Sequence, residues 1–68
     1  MNSRFSLEQI EEHISFYRLT LEIKRHRDLF SVTLKGNNPI TTVFGKKLHE
    51  TMSDAVHTHL DLIYQATL

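Results

Sequence analysis

An alternation of apolar and polar residues between positions 16 and 34 limits what this chain can fold into. Apolar side chains occupy every second position on both sides of the polar segment 25–28, at Tyr17, Leu19, Leu21, Ile23, Phe30, Val32 and Leu34. A period of two residues places such side chains on one face of a β-strand. The pattern therefore predicts a β-hairpin, with the flanking segments laid as helices on its apolar face.

A helical alternative exists for the first half of this stretch. Five apolar residues also follow a heptad spacing, namely Leu7, Ile10, Ile14, Tyr17 and Leu21. A helix from Ser6 to about residue 27 would make the protein an all-α helical hairpin. That helix would leave Phe16, Leu19 and Ile23 off its apolar stripe, so the strand interpretation accounts for more residues.

The segment before the hairpin carries the signals of a helix start. Ser6 is suited to be the N-cap, and Gln9 stands three residues later, which is the spacing of a capping box. Phe5 and Ile10 have the spacing of a hydrophobic staple. The acidic residue Glu8 suits the positive end of the helix dipole.

The second half of the chain predicts a turn, a short strand and a long helix. Residues 35–39 are rich in glycine, asparagine and proline, which favour a turn. Residues 40–44 are β-branched or aromatic and predict a third strand. From Lys46 or Lys47 to about Thr67, the apolar residues fall on one side of a helix.

These elements predict one small α+β domain, residues 1–68, in the order helix, three antiparallel strands, helix. We expect both helices on one face of the sheet. The predicted core consists of Leu7, Ile10, Ile14, Leu19, Leu21, Ile23, Phe30, Val32, Leu34, Val43, Leu48, Met52, Ala55, Leu60 and Ile63.

Size and composition limit the classes of function. A domain of 68 residues buries only ~60% of the surface that its unfolded chain exposes, so we expect self-association to stabilise it. The absence of cysteine excludes disulfides, thiolate metal sites and cysteine nucleophiles. No apolar run approaches the ~18 residues of a membrane span, and no signal peptide is evident. We expect a cytoplasmic protein with no membrane partner.

Charge is unevenly distributed although the formal net charge is zero. From Lys24 to Lys47 there are six basic residues and one acidic residue, whereas both ends of the chain are acidic. If the first hairpin loop and the start of the last helix face the same way, they form a surface for phosphate, nucleic acid or an acidic partner. The candidate residues of this surface are Lys24, Arg25, His26, Arg27, Lys46 and Lys47.

Histidines give little support for a metal site or an enzyme. His49-Glu50 begins like the zinc motif H-E-x-x-H, but Ser53 stands where the second histidine is required. His57 and His59 are two residues apart and so point to different sides of a helix. No phosphate loop or nucleophile elbow occurs. We therefore expect no catalytic residues, no metal and no cofactor.

The wide apolar arc of the last helix suggests a homodimer. We expect either pairing of edge strands or packing of the last helices, and favour the helices, with Val56, His59, Leu60 and Ile63 as candidate contacts. His59 lies near the centre of the arc, where it is either a hydrogen-bonded core residue or an oligomer contact. In an oligomer contact, its protonation near pH 5 to 6 would weaken association.

Two families resemble parts of this pattern. The predicted order of elements resembles a double-stranded RNA-binding domain, in which the first hairpin loop and the start of the last helix contact the duplex. Residues 25–27 and 46–47 stand in the corresponding places, so this resemblance implies nucleic-acid binding.

From Leu19 to about Tyr64 the chain resembles rather more closely a HicB-like antitoxin domain. In that family three strands lead through a Gly-x-x-Leu-x-Glu step into an amphipathic helix, and residues 45–50, followed by Ala55 and Leu60, fit this pattern. The resemblance implies a partial ribonuclease-H-like fold that binds a small toxin protein, often as an oligomer. We therefore expect a non-enzymatic module that binds another protein, with nucleic-acid binding as the alternative.

Overall fold

The computed structural model describes residues 4–36 and 40–67, apart from the side chain of residue 67. The elements follow one another as α1 (Leu7–Phe16), β1 (Thr20–His26), β2 (Leu29–Lys35), β3 (Thr41–Gly45) and α2 (Leu48–Thr67). The predicted α+β order is confirmed, and the all-α helical hairpin is not supported. The turn was predicted at 35–39, but Lys35 is the last residue of β2, and residues 37–39 lie outside the described residues.

Helix α1 begins where its capping signals predict. The side chain of Ser6 accepts a hydrogen bond from the backbone N–H of Gln9 at 3.1 Å, and the backbone N–H of Ser6 donates to Oε1 of Gln9 at 2.9 Å. This reciprocal pair is a complete capping box, which satisfies two backbone donors at the helix start.

Helix α1 ends in a left-handed turn that breaks the heptad pattern. Arg18 has a φ of 55°, its N–H donates to the carbonyl of Ser15, and the N–H of Leu19 donates to the carbonyl of Ile14 at 2.8 Å. These two bonds form a Schellman motif, with Arg18 in the position that glycine usually occupies. The chain therefore leaves the helix after Phe16, and strand β1 begins at Thr20 rather than at residue 17.

The three strands form an antiparallel sheet in the order β1-β2-β3. Val32 lies at the centre of the sheet, opposite Ile23 on β1 and Val43 on β3. The last pair of the first hairpin is His26 with Leu29. The predicted loop at 25–28 is therefore wrong at its first two residues, because only residues 27–28 form the turn.

The core lies between the sheet and the two helices. Its fully buried apolar residues are Ile10, Val32, Leu34, Ala55 and Val56. Helix α2 packs on β2 and β3, and α1 packs against α2. Most of the predicted core residues are buried or partly buried around this centre.

Two predicted core residues are exposed. Leu7 is 56% exposed, and Ile23 is 43% exposed. Leu7 is the first residue of α1, and the preceding Phe5 packs against the core instead. Ile23 points to the same face of the sheet as Val32, but α2 covers β2 and β3 rather than the edge strand β1.

Candidate functional site

Strand β1 separates the side chains of the first basic cluster. Lys24, Arg25 and His26 belong to the strand, and Arg27 lies in the turn. Successive side chains of a strand point to opposite faces. Lys24 and His26 are therefore on the outer face of the sheet, and Arg25 is on the face that carries the helices.

Arg25 is placed by its neighbour on β2. It lies opposite Phe30, and its guanidinium carbon is 6.0 Å from the centre of the Phe30 ring. This is the outer limit of a cation–π contact. The ladder with β2 continues through Arg25 to His26, so Arg25 belongs to the strand and not to the loop.

The second basic cluster lies at the same end of the sheet. Gly45 at the end of β3 lies opposite Phe30, which in turn lies opposite Arg25. Because neighbouring strands are about 4.8 Å apart, Lys46 begins roughly 10 Å across the sheet from β1. We call Lys24, Arg25, Arg27, Lys46 and Lys47 the basic end of the sheet.

The charge of the basic end is only partly neutralised. Nζ of Lys47 lies 3.7 Å from the carboxylate of Glu50, which also pairs with Arg4 at 3.3 Å. All six predicted basic-site side chains are exposed. The structure thus brings the two basic clusters to one end of the sheet, and it divides them between two faces.

An apolar and aromatic cluster lies on the outer face at this end. Nε2 of His26 is 3.1 Å from Oγ of Ser31, and its ring centre is 5.8 Å from that of Phe44. Ser31 is buried under these rings, whereas Phe44 is 60% exposed and Leu29 is 37% exposed. We call His26, Leu29, Ser31 and Phe44 the outer-face cluster. Sequence reasoning missed it because its members come from three strands.

A histidine pair, with His59 buried and His13 half-buried, joins the two helices. Nε2 of His13 is 2.8 Å from Nδ1 of His59, and the ring of Tyr17 lies 4.8 Å from His13 and 5.4 Å from His59. The two nitrogens share one hydrogen, so the bond requires that one of them accepts. His59 is 1% exposed and is a hydrogen-bonded core residue, the first of the two roles considered for it.

Both rings of the pair favour the neutral state. Burial lowers the pKa of His13, with a further contribution from His59. Burial also lowers the pKa of His59. Nε2 of His59 has no hydrogen-bond partner among the described groups, so in the charged ring its N–H would be buried without an acceptor among them. Nothing in the sequence marks His13 as the partner, because the two residues are 46 positions apart.

An open depression of about 650 Å³ borders helix α1 on the side of His13. Its lining residues are Phe5, Gln9, Glu12, His13, Ser15, Phe16 and Tyr17. Its lining is more apolar than polar, and Glu12 is the one acidic residue among the described residues that line it. Within residues 4–36 and 40–67, no three histidine, aspartate or glutamate side chains are close enough to hold a metal ion.

The other histidines of α2 hold the N-terminal segment. Nε2 of His49 is 2.8 Å from the carbonyl oxygen of Phe5, and the ring of His57 is 4.5 Å from the ring of Phe5. The backbone N–H of Phe5 donates to Oγ of Ser53 at 2.9 Å. His49 and Ser53, which belong to the apparent zinc-like motif, therefore hold the segment before α1 against α2.

The predicted helical dimer contact is largely inside the protomer. Val56 and His59 are each 1% exposed, and Leu60 and Ile63 are partly buried. Helix α1 and the sheet take up the surface that the sequence offered to a second copy. The side chains of Val56 and His59 are thus not available on the surface of the folded protomer.

Comparisons with known proteins identify no relative. No protein-family model, no curated protein and no solved structure matches this chain. The two family resemblances therefore rest on the residues given above. None of the helices in the described part of the chain is both long and apolar enough to cross a membrane.

Proposed function

We propose that this chain is a small non-enzymatic module of the cytoplasm that binds another protein, and that it does so as a homodimer. The partner presents an acidic surface to the basic end of the sheet. The observation that carries this proposal is the outer-face cluster beside the basic end. Exposed aromatic and apolar side chains beside positive charge are the composition of a protein interface.

Each part of this surface supplies a different contribution. Phe44 and Leu29 provide apolar area that is removed from water on binding, and Lys24, in the same row as Ser31 and Phe44, provides charge at the margin. Arg27 and Lys46 extend the positive field around them. Charges at the rim of an interface mainly steer association, and buried aromatic residues contribute most of the affinity.

Nucleic-acid binding is the second candidate, and one observation favours it. The rings of Phe44 and His26 lie on an open sheet face next to Lys24, and exposed aromatic rings on such faces stack with unpaired bases. The formal net charge of zero favours the protein partner, since nucleic-acid-binding domains usually carry an excess of positive charge.

Photo-cross-linking in the source cells tests the proposal. A photoreactive residue at position 44 is compared with one at position 40, because Ile40 is exposed to a similar extent, 65%. We expect a discrete protein adduct from position 44 and none from position 40. The double variant Arg27→Glu and Lys46→Glu should abolish that adduct. Equal adducts from both positions, or no adduct from position 44, would reject the proposed surface.

Fluorescence anisotropy with single-stranded and duplex oligonucleotides separates the two candidates. Weak binding that is insensitive to the double variant agrees with a protein partner. Tight binding that falls steeply as salt rises, and that the double variant removes, would assign the surface to nucleic acid.

A further inference from the structure

Strand β1 has an open edge along its whole length. Its seven residues pair with β2 on one side, and no strand in the described part of the chain pairs with the other side. The backbone N–H and C=O groups on such an edge are ready to pair with a further strand. The other edge strand, β3, has five residues and no charged side chain, so only β1 carries charges that select a partner.

The sequence of β1 is complementary to itself when reversed. If two copies run antiparallel with Ile23 opposite its own counterpart, all seven residues of Thr20–His26 are paired. Glu22 then faces Lys24 of the second copy, and Lys24 faces the second Glu22. The two-fold axis thus generates two opposite-charge pairs, which stabilise neighbouring strands. Glu22 also binds Lys35 of its own chain at 3.0 Å, so each carboxylate would lie between two lysines.

The inner face of the same pairing is apolar at the axis. Ile23 is 43% exposed although it points to the helix-covered face. In the reversed pairing, the two Ile23 side chains meet and cover each other. Leu21, which is partly buried, faces the aliphatic part of Arg25 of the second copy, so the contact extends along the strand.

Neighbouring registers are disfavoured by charge. If the helices are to stay on one face of a joined sheet, the axis must pass through a residue, and the nearest alternatives to Ile23 are Glu22 and Lys24. Either shift places two like charges directly opposite each other, which destabilises a strand pair. The register centred on Ile23 is therefore selected by both attraction and repulsion.

We infer that a second copy of this chain occupies the edge of β1, with the two β1 strands antiparallel and Ile23 on the two-fold axis. This inference deepens the proposed homodimer and rests on it. The result is a sheet of six strands in which each β1 edge is closed by the other. The two basic ends point in opposite directions. Lys24 and Arg25 take part in the pairing, whereas Arg27, Lys46 and Lys47 stay open for partners.

Charge exchange tests the pairing without depending on any single variant. Glu22→Lys and Lys24→Glu each place like charges opposite each other in a homodimer. At about 100 μM, where we expect the unchanged chain to sediment as a dimer, each variant should dissociate at least about tenfold more readily. An equimolar mixture of the two variants should form a heterodimer, and the doubly exchanged variant should again form a homodimer. Recovery of a dimer in the mixture shows that each variant is folded.

Cysteine cross-linking tests the position of the axis. The chain contains no cysteine, so Ile23→Cys introduces a single thiol, which should be linked to its counterpart by a short bifunctional maleimide. Thr20→Cys is the matched control. Its counterpart would lie six residues away along the strand, or about 20 Å, and should not be linked.

The outcomes separate this interface from the proposed function. A monomer at this concentration rejects both the interface and the homodimer, whereas an adduct at position 44 still supports a protein partner. A dimer that Glu22→Lys leaves unchanged, or that links through position 20 and not through position 23, rejects the β1 pairing and leaves the homodimer standing.

Discussion

Replacing Arg18 by glycine should stabilise the protein. Arg18 is the residue with positive φ among the described non-glycine residues, and it occupies the left-handed position of the Schellman motif that ends α1. In that conformation the Cβ atom of an L-residue approaches the following carbonyl oxygen, which costs roughly 1–2 kcal/mol. Glycine has no Cβ atom and avoids this cost.

The net gain is smaller than the strain that is removed. Glycine also loses more backbone freedom on folding, which opposes the gain by roughly 0.5–1 kcal/mol. We therefore expect Arg18→Gly to raise the free energy of unfolding by about 0.5–1 kcal/mol. For a domain of this size, that corresponds to a rise in the midpoint of thermal unfolding of roughly 2–8 °C. Urea unfolding followed by circular dichroism measures the free energy directly.

Two further substitutions at position 18 isolate the cause. Arg18→Ala keeps the Cβ atom and should change stability by less than about 0.5 kcal/mol, as is usual for an exposed site. Arg18→Asn should fall between alanine and glycine, because asparagine adopts positive φ more readily. If the glycine variant is no more stable than the alanine variant, the left-handed strain at Arg18 does not limit stability.

Three other predictions address the histidine pair, the start of α2 and the cap of α1. Because the pKa values of His13 and His59 are lowered from 6.5, the unfolded chain binds more protons than the folded chain. The free energy of unfolding should therefore decrease as the pH falls below about 6.5. Urea unfolding at pH 7.5 and 5.5 measures this decrease, and an equal decrease in the variant His59→Gln would contradict the prediction. Gly45→Ala should lower the free energy of unfolding by roughly 1–3 kcal/mol, because the added Cβ atom would overlap Oγ1 of the buried Thr51. Thermal unfolding should show a smaller loss of stability when Thr51→Ala is also present. Ser6→Ala should lower the free energy of unfolding by about 1 kcal/mol, because it removes the cap of α1. A thermal midpoint equal to that of the unchanged chain would show that the cap contributes nothing to stability.

Binding experiments gain from the separation of these sites. Arg27 and Lys46 belong to the basic end and take no part in the proposed β1 pairing, whereas Glu22 lies on the β1 edge away from the outer-face cluster. Loss of a partner and loss of the dimer are therefore measured with different variants. In the proposed module, dimer formation uses the edge of β1, and partner binding uses the outer face of the sheet beside that edge.

Local signals in the sequence determined where most elements lie. The start of α1 follows from Ser6 and Gln9 because a capping box involves only residues three positions apart. The strand period of β2 follows from Phe30, Val32 and Leu34 because side chains alternate along any extended backbone. The order of elements and the α+β class could be predicted for the same reason.

Tertiary structure decided which faces are covered and which residues meet. Ile23 follows the apolar period of its strand, yet it is exposed because α2 lies over the other two strands. His59 has its hydrogen-bond partner 46 residues away in His13, and no local pattern encodes that contact. Arg25 and His26, which were predicted in the loop, belong to strand β1. Their side chains contact Phe30 and Ser31 across the hairpin. Burial and pairing depend on how separate elements pack, and this is a property of the whole chain that sequence periodicity does not carry.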